Sequence, residues 1–340
     1  MPRKPQIADL RLMSKVSKLY YHRELTQQDI SEKLHISRPK VSRLLQQARD
    51  EGIVQFIVHT PLGMYTDLEE QLEVKYGLKE AIVVEVIDPH SQDAVSREVG
   101  SAAASYFHRT LSDGDVIGIS WGSTLNAMVN ALQPQDSTGV QVVQMIGGVD
   151  LPEVEVHATS LCRRVSQFIN SRLALLHAPG IVDNQEVKRA LLSDSHMQHV
   201  FDLFNQINVA YVGIGAPIED ALLMRHGTIM NQEDLKYLLS LGAVGDIALR
   251  FFDQDGLPLQ SELDDRVIGI TLEQLKRINH VVGVAGGEQK RAAIHGALLG
   301  GLVHVLITDQ LTALSLLNEK TKSPEMPRSR ASRNDRHQGE

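Results

Sequence analysis

The sequence predicts an α/β protein in two parts: a small helical head over residues 1–60, and a mostly parallel sheet layered with helices over residues 81–318. Three observations lead there. In the head, apolar residues recur at helical spacing in three short runs separated by capping residues. In the remainder, seven β-rich apolar runs alternate with helical periodicities, the pattern of a parallel sheet covered on both faces. Charge divides at the same place. Residues 1–60 hold eleven Lys/Arg against six Asp/Glu, a balance of +5, whereas residues 61–318 carry −15.

The 340 residues suit two domains. With 42 % apolar and 22 % charged residues the composition is globular, which excludes a disordered or fibrous chain. The single cysteine, Cys162, excludes an internal disulfide and a Cys-rich zinc site and suits a reducing cytosol. The amino terminus has no apolar segment of signal-peptide type, and no run of about eighteen apolar residues occurs. A cytoplasmic protein without a membrane partner is expected.

In the head, Leu12, Val16, Leu19 and Tyr20 line one face of a helix over 9–22. Thr26 caps a short second helix that buries Ile30 and Leu34, and His35-Ile36 makes the turn. Glycine is usual at such a turn, but histidine tolerates left-handed backbone better than most residues. Ser37 then caps a third helix with Pro39 in its first turn and Val41, Leu44, Leu45 and Ala48 facing inward; Gly52 ends it. Ile53, Phe56 and Val58 are expected to form an extended wing. Two helices across a tight turn, the second capped and basic, make a winged helix-turn-helix.

The outward face of the third helix carries Ser42, Arg43, Gln46 and Gln47, with Arg38 and Lys40 at its N-terminal edge. Arginine and glutamine can pair with guanine and adenine edges, while serine and lysine suit phosphates. The DNA-binding candidates are therefore Ser37, Arg38, Lys40, Ser42, Arg43 and Gln46, together with Thr26 and Gln27 at the start of the second helix. An ordinary three-helix bundle with a solvated basic face explains the turn, caps and polarity less well.

After Pro61, an acidic helix from Asp67 to about Tyr76 reads as a connector, giving a linker over 61–80. Strands are expected at 81–87, 116–120, 140–146, 173–176, 209–214, 281–285 and 304–308. Helices are expected at 91–111, 124–132, 155–170, 186–204, 232–239 and 288–299, with a tight turn at Asp253-Gln254-Asp255-Gly256 inside a small antiparallel excursion. Residues 319–340 are polar and read as a disordered tail.

Ligands of such sheets sit at the C-terminal strand ends, near the switch point. The strand over 116–120 runs into Trp121-Gly122-Ser123-Thr124 and a helix, whose N–H groups, hydroxyls and dipole would cradle a phosphate. Three other strands end in Gly147-Gly148, Gly215-Ala216 and Gly286-Gly287, the last followed by Lys290. Gly122, Ser123, Thr124, Gly147, Gly148 and Lys290 are the effector candidates, with Asp246 as an acceptor for sugar hydroxyls. Asp309 is expected only to cap a helix. No dinucleotide or Walker glycine pattern follows a strand, no metal spacing links the fourteen histidines, and no cofactor is expected.

Leu25 to Ile30, Ile36 to Leu45, Gly114 to Gly122, Gly147-Gly148, Gly242 to Asp246, Ala285 to Gly287 and Ile307 to Gln310 together resemble the SorC family of bacterial sugar-responsive transcriptional regulators. The resemblance covers the chain to Leu317. It implies an effector domain related to sugar-phosphate isomerases, a homo-oligomer (tetramer or dimer), and release from operator DNA by a phosphorylated sugar such as deoxyribose 5-phosphate. It places the phosphate at Gly122-Ser123-Thr124 and Lys290, and the sugar at Asp246. The segment before the glycine pair reads Gln144-Met145-Ile146, with no lysine, so an effector held there through an amine could not be copied by this chain. The alternative is a sugar-phosphate isomerase or deaminase with an appended head, but no acid–base pair stands out beside Asp246.

Overall fold

The computed structural model describes residues 7–56, 61, 63–148, 157–218 and 230–319. The chain forms two compact units, Met1–Pro61 and Leu62–Glu340.

In the first unit, α1 (Ile7–Ser17) passes into one π-helical turn, Lys18–His22, followed by α2 (Gln27–Leu34) and α3 (Arg38–Asp50). The expected apolar stripes meet in one core of Met13, Val16, Leu19, Ile30, Val41, Leu44, Leu45 and Ala48. His35 takes the left-handed conformation, φ 55° and ψ 40°, and its N–H closes the end of α2 on Ser31 and Glu32. The Ser31 hydroxyl donates to the Ile36 carbonyl at 2.6 Å, so the turn is hydrogen-bonded on both sides without glycine. The expected wing shows no strand over residues 51–56, and Val58 lies outside the described residues. Phe56 instead lies under the Arg49 guanidinium, 5.5 Å from its ring centre.

The second unit opens with α4 (Thr66–Tyr76), which is packed into the body and is not a free connector. Leu72 is buried, Glu69 and Glu73 accept the N–H groups of Val83 and Ala81, and the Lys75 ammonium donates to the carbonyls of Leu316 and Leu317. The sheet contains β1 (Glu80–Val84), β2 (Val116–Ile119), β3 (Gln141–Gln144), β4 (Arg172–Ala174), β5 (Val209–Gly213), β8 (His280–Val284) and β9 (Val305–Asp309). Between β5 and β8 the chain forms a separate hairpin, β6 (Gly245–Ile247) with β7 (Arg250–Phe252). All seven expected strands are present. They are parallel, in the order β1-β9-β8-β5-β2-β3-β4. From β2 the chain builds outward through β3 to β4, then returns to place β5 on the other side of β2. The β2/β5 boundary is thus the switch point.

Two apolar layers cover the sheet. One contains Val99, Phe107, Leu125, Met128 and Leu161, from α5 (Gln92–Thr110), α6 (Ser123–Ala131) and α7 (Ala158–Phe168). Cys162 is wholly buried there, and burial raises its thiol pKa, so it acts as packing. The other layer includes α10 (Gln232–Ser240), α11 (Leu272–Arg277), α12 (Arg291–Leu299) and α13 (Gln310–Asn318).

Two expected helices are corrected. The helix expected over 186–204 is two helices, α8 (Gln185–Leu192) and α9 (Ser195–Phe204), because the Asp194 carboxylate caps the second through His196 and Met197. The expected tight turn at Asp253–Gly256 is present, closed by the Gly256 N–H on the Asp253 carbonyl and flanked by an antiparallel bridge between Phe252 and Pro258. A further turn at Ala248-Leu249, φ 53° and 63°, joins β6 to β7 and was not anticipated. The helix expected over 288–299 begins with a 3₁₀ turn, Glu288–Lys290, which puts Lys290 at the N-cap of α12. Helices α11 and α13 were not anticipated. Residues 320–340, read as a tail, lie outside the described residues.

Candidate functional site

In the head, Arg38, Lys40, Ser42, Arg43, Gln46 and Gln47 are all exposed on α3, opposite the buried Val41, Leu44 and Leu45. The Ser37 hydroxyl makes no capping bond and is exposed at the start of α3. Thr26 is already occupied: its hydroxyl accepts the Asp29 N–H and donates to the Asp29 carboxylate at 2.7 Å. That capping box draws the Asp29 carboxyl below its ordinary value, first through the Thr26 hydroxyl. Gln27 is half-buried beside it. The face offered for recognition is therefore α3, with α2 held rigidly behind it.

In the second unit, a cavity of about 210 Å³ opens at the switch point between the ends of β2 and β5. This is smaller than the ~300–1,000 Å³ of sites for drug-sized ligands and suits a small metabolite. Its floor is the start of α6. Gly122, at φ 127° and ψ 166°, takes a conformation open to glycine alone; no side chain caps the start of α6, and Ser123, Thr124 and Leu125 of its first turn line the cavity. Uncapped N–H groups and the positive helix end favour an anion. Trp121 and Ile214 give the walls an apolar part.

Lys290 and Asp246 line the same cavity. Among the described residues the Lys290 ammonium has no hydrogen-bond or ion-pair partner; burial pulls its pKa down, and the nearby Asp246 charge acts against this. Asp246 is 4 % exposed. Burial pushes its carboxyl up to about 6, opposed by the Leu249 N–H and by Lys290. The Leu249 N–H reaches it at 3.2 Å because Ala248 and Leu249 hold the left-handed turn. Two such non-glycine residues cost roughly 1–2 kcal/mol each, offset by near-complete burial of both. Gly215 faces the carboxylate so closely that a Cβ there would lie 2.0 Å from its Oδ1.

The cavity thus gathers Gly122, Ser123, Thr124, Asp246 and Lys290. It leaves out Gly147 and Gly148. Gly147 donates to the Ile268 carbonyl and a Cβ on it would strike Pro179, while Gly148 donates to Ala178; both glycines serve chain packing beyond β3. Gln144 is fully buried and bonded to Ile146 and Thr159, with no free amine to offer the cavity. Asp309 caps α13 through Leu311 and Thr312, as expected, but its other oxygen also accepts the N–H of Gly287. Gln92 and Asp93, at the start of α5, line the cavity and were not foreseen. Among the described residues no cluster of His, Cys, Asp or Glu could hold a metal, and no helix is long and apolar enough to cross a membrane.

A rigid helix-turn-helix with an exposed polar recognition face, on the same chain as a small-molecule cavity in a parallel α/β domain, defines a ligand-responsive DNA-binding regulator. Residues 19–55 match the family described as "Winged helix-turn-helix DNA-binding", and residues 61–318 match "Putative sugar-binding domain". The chain is 39 % identical to the deoxyribonucleoside regulator of Bacillus subtilis over 91 % of its own length and 97 % of that protein. It is 32 % identical to the transcriptional regulator LsrR of Klebsiella pneumoniae, covering 92 % of this chain and 94 % of that one. The crystal structure of the full-length sorbitol operon regulator SorC from Klebsiella pneumoniae superposes with a TM-score of 0.71 at 31 % identity, over 91 % of this chain and 99 % of that one. The chain belongs to the SorC family of sugar-responsive transcriptional regulators, and it is a DNA-binding regulator, not an enzyme.

Proposed function

We propose that this regulator represses a sugar or deoxyribonucleoside catabolic operon and leaves its operator when a phosphorylated sugar fills the switch-point cavity. One observation carries the reading: a helix N-terminus at Gly122–Thr124 with no side-chain cap, and Lys290, which has no hydrogen-bond or ion-pair partner among the described residues, line one small cavity. Both favour a phosphate, and Asp246 beside them can accept sugar hydroxyls. Ser37, Arg38, Lys40, Ser42, Arg43 and Gln46 would contact operator DNA, with Thr26 and Gln27 positioning α3 from behind. Gly147 and Gly148 would support the effector domain from outside the cavity.

The relative from Bacillus subtilis is named a deoxyribonucleoside regulator, which makes deoxyribose 5-phosphate the first effector to try. The working division is a head over 1–60, an effector and oligomerisation domain over 81–318 with the stretch 61–80 joined to it through α4, and a tail over 319–340. The protein would act as a tetramer or dimer in the cytoplasm, where operator DNA is. Release requires the effector to bind the DNA-free arrangement more tightly; a coupling of about 1–3 kcal/mol shifts operator affinity roughly 5–150-fold. Titration calorimetry with pentose, hexose and polyol phosphates, each beside its free sugar, tests the reading. Binding of a phosphate but not its free sugar supports it; binding of free sugars alone would exclude it.

A further inference from the structure

The first turn of α5 reaches both halves of the anion cradle. Ser91 caps this helix through the Ala94 N–H, which fixes Gln92 as its first residue at the cavity wall. The Gln92 amide nitrogen donates to the Gly286 carbonyl at 3.3 Å and to the Ser96 hydroxyl at 3.4 Å. Its Oε1 is packed over the glycine loop, where a Cβ on Gly287 would come within 2.4 Å of it. One turn further on, the buried Ser96 hydroxyl lies 3.4 Å from the Thr124 hydroxyl, on the floor of the same cavity. Gln92 and Ser96 thus tie the Gly286-Gly287 loop to the start of α6.

Both bonds of the Gln92 amide are long, near the limit at which such contacts hold. A charged acceptor makes shorter and stronger bonds than a carbonyl or a hydroxyl. An anion in the cavity therefore outcompetes the Ser96 hydroxyl, the longer contact, for one N–H of this amide, while the other N–H keeps the Gly286 carbonyl. Asp93 cannot serve in the same way: it is exposed at the rim and carries only acceptors. We propose that Gln92 is an effector-positioning residue, which donates its amide N–H to the phosphate and so draws the Gly286-Gly287 loop and the α6 terminus around it. This rests on the sugar-phosphate reading above.

Gln92→Glu tests it, since it keeps size and shape but replaces the donating nitrogen with a charged oxygen. Binding of deoxyribose 5-phosphate, ribose 5-phosphate and inorganic phosphate is measured by calorimetry on the full chain, with Gln92→Ala as the second variant. The expected result is a loss of about tenfold or more in affinity for every phosphate the wild type binds. In the Glu variant the loss should shrink as pH falls and the new carboxylate is protonated, with operator affinity and melting temperature held. A clamp that only braces the loops would give equal losses in both variants, with no pH dependence, and would overturn the proposal. Wild-type affinity in both variants would overturn it as well. A wild type that binds none of the three phosphates removes the sugar-phosphate reading, and this proposal with it.

Discussion

The carboxylate of Asp309, the last residue of β9, accepts the backbone N–H of Gly287 at 2.8 Å, twenty-two residues away in sequence. The same oxygen takes the Thr312 hydroxyl at 2.6 Å, while the other caps α13. Gly287 is held at φ 100°, and a Cβ on its neighbour Gly286 would lie 2.5 Å from the Asp309 Oδ2. One buried carboxylate thereby fixes both a helix start and the loop that presents Lys290 to the cavity.

Asp309→Ala should therefore cost stability and effector response together. Loss of the cap is worth about 1 kcal/mol. The stranded Gly287 N–H adds roughly 1–3 kcal/mol. Urea denaturation followed by circular dichroism should show a fall of that size; an unchanged midpoint would mean the loop does not depend on this carboxylate.

Asp246 should link stability to pH in a defined direction. Its pKa in the folded chain, about 6, lies above the ordinary carboxylate value, so the folded state holds its proton more tightly than the unfolded state. The group's contribution is most favourable below about pH 4. It is lost as pH rises through about 6. Asp246→Asn should accordingly stabilise the chain by up to about 3 kcal/mol at pH 8, with the gain falling below about 1 kcal/mol by pH 4. The variant should also bind effector more weakly. Parallel denaturation series at the two pH values would show whether the gain is pH-dependent, and a pH-independent gain would contradict the assignment.

On α3, Arg43→Ala and Lys40→Ala should differ in kind. A residue that reads a base costs about 1–3 kcal/mol and relaxes sequence choice at one position. A phosphate contact weakens binding to all sequences and reduces the salt slope by about one. Anisotropy on operator and scrambled DNA across a salt series separates the two. If neither variant changes operator affinity, α3 does not face DNA.

Lys290→Ala, and Ser123→Ala combined with Thr124→Ala, should leave operator affinity unchanged while abolishing effector response. Reporter expression with and without inducer reads both properties at once. Full induction in the double variant would remove the α6 terminus from the effector site.

The seven strands were legible because strands buried on both faces are continuous apolar runs bounded by glycine and polar turns. The head was legible for its caps, and His35 took the conformation the turn demanded. The misread elements have local causes. Apolar spacing continues from Leu192 to Met197, so the cap at Asp194 was passed over although its residue type could have marked it. The turn at Asp253–Gly256 was legible from its Asp-Gly pair, whereas Ala248-Leu249 carries none of the glycine or asparagine chemistry of a left-handed turn and gave no sign of one. Within the cavity, Gly122, Ser123, Thr124 and Lys290 follow strands whose ends are visible in the sequence. Gly147-Gly148 follows such a strand too, but β3 stands one position beyond the switch point. Gln92 could not be found in the same way. Its place depends on α5 bringing its first turn against a loop almost two hundred residues later.

The central claim is that occupancy of the switch-point cavity by a sugar phosphate releases the head from DNA. Fluorescence anisotropy of the full chain on DNA from upstream of its own gene cluster tests it most directly, with deoxyribose 5-phosphate titrated first, then other sugar phosphates and their free sugars. Loss of binding with one phosphate and not with its free sugar, abolished by Lys290→Ala, is the predicted result. Tight, salt-sensitive binding that no sugar phosphate alters would contradict it.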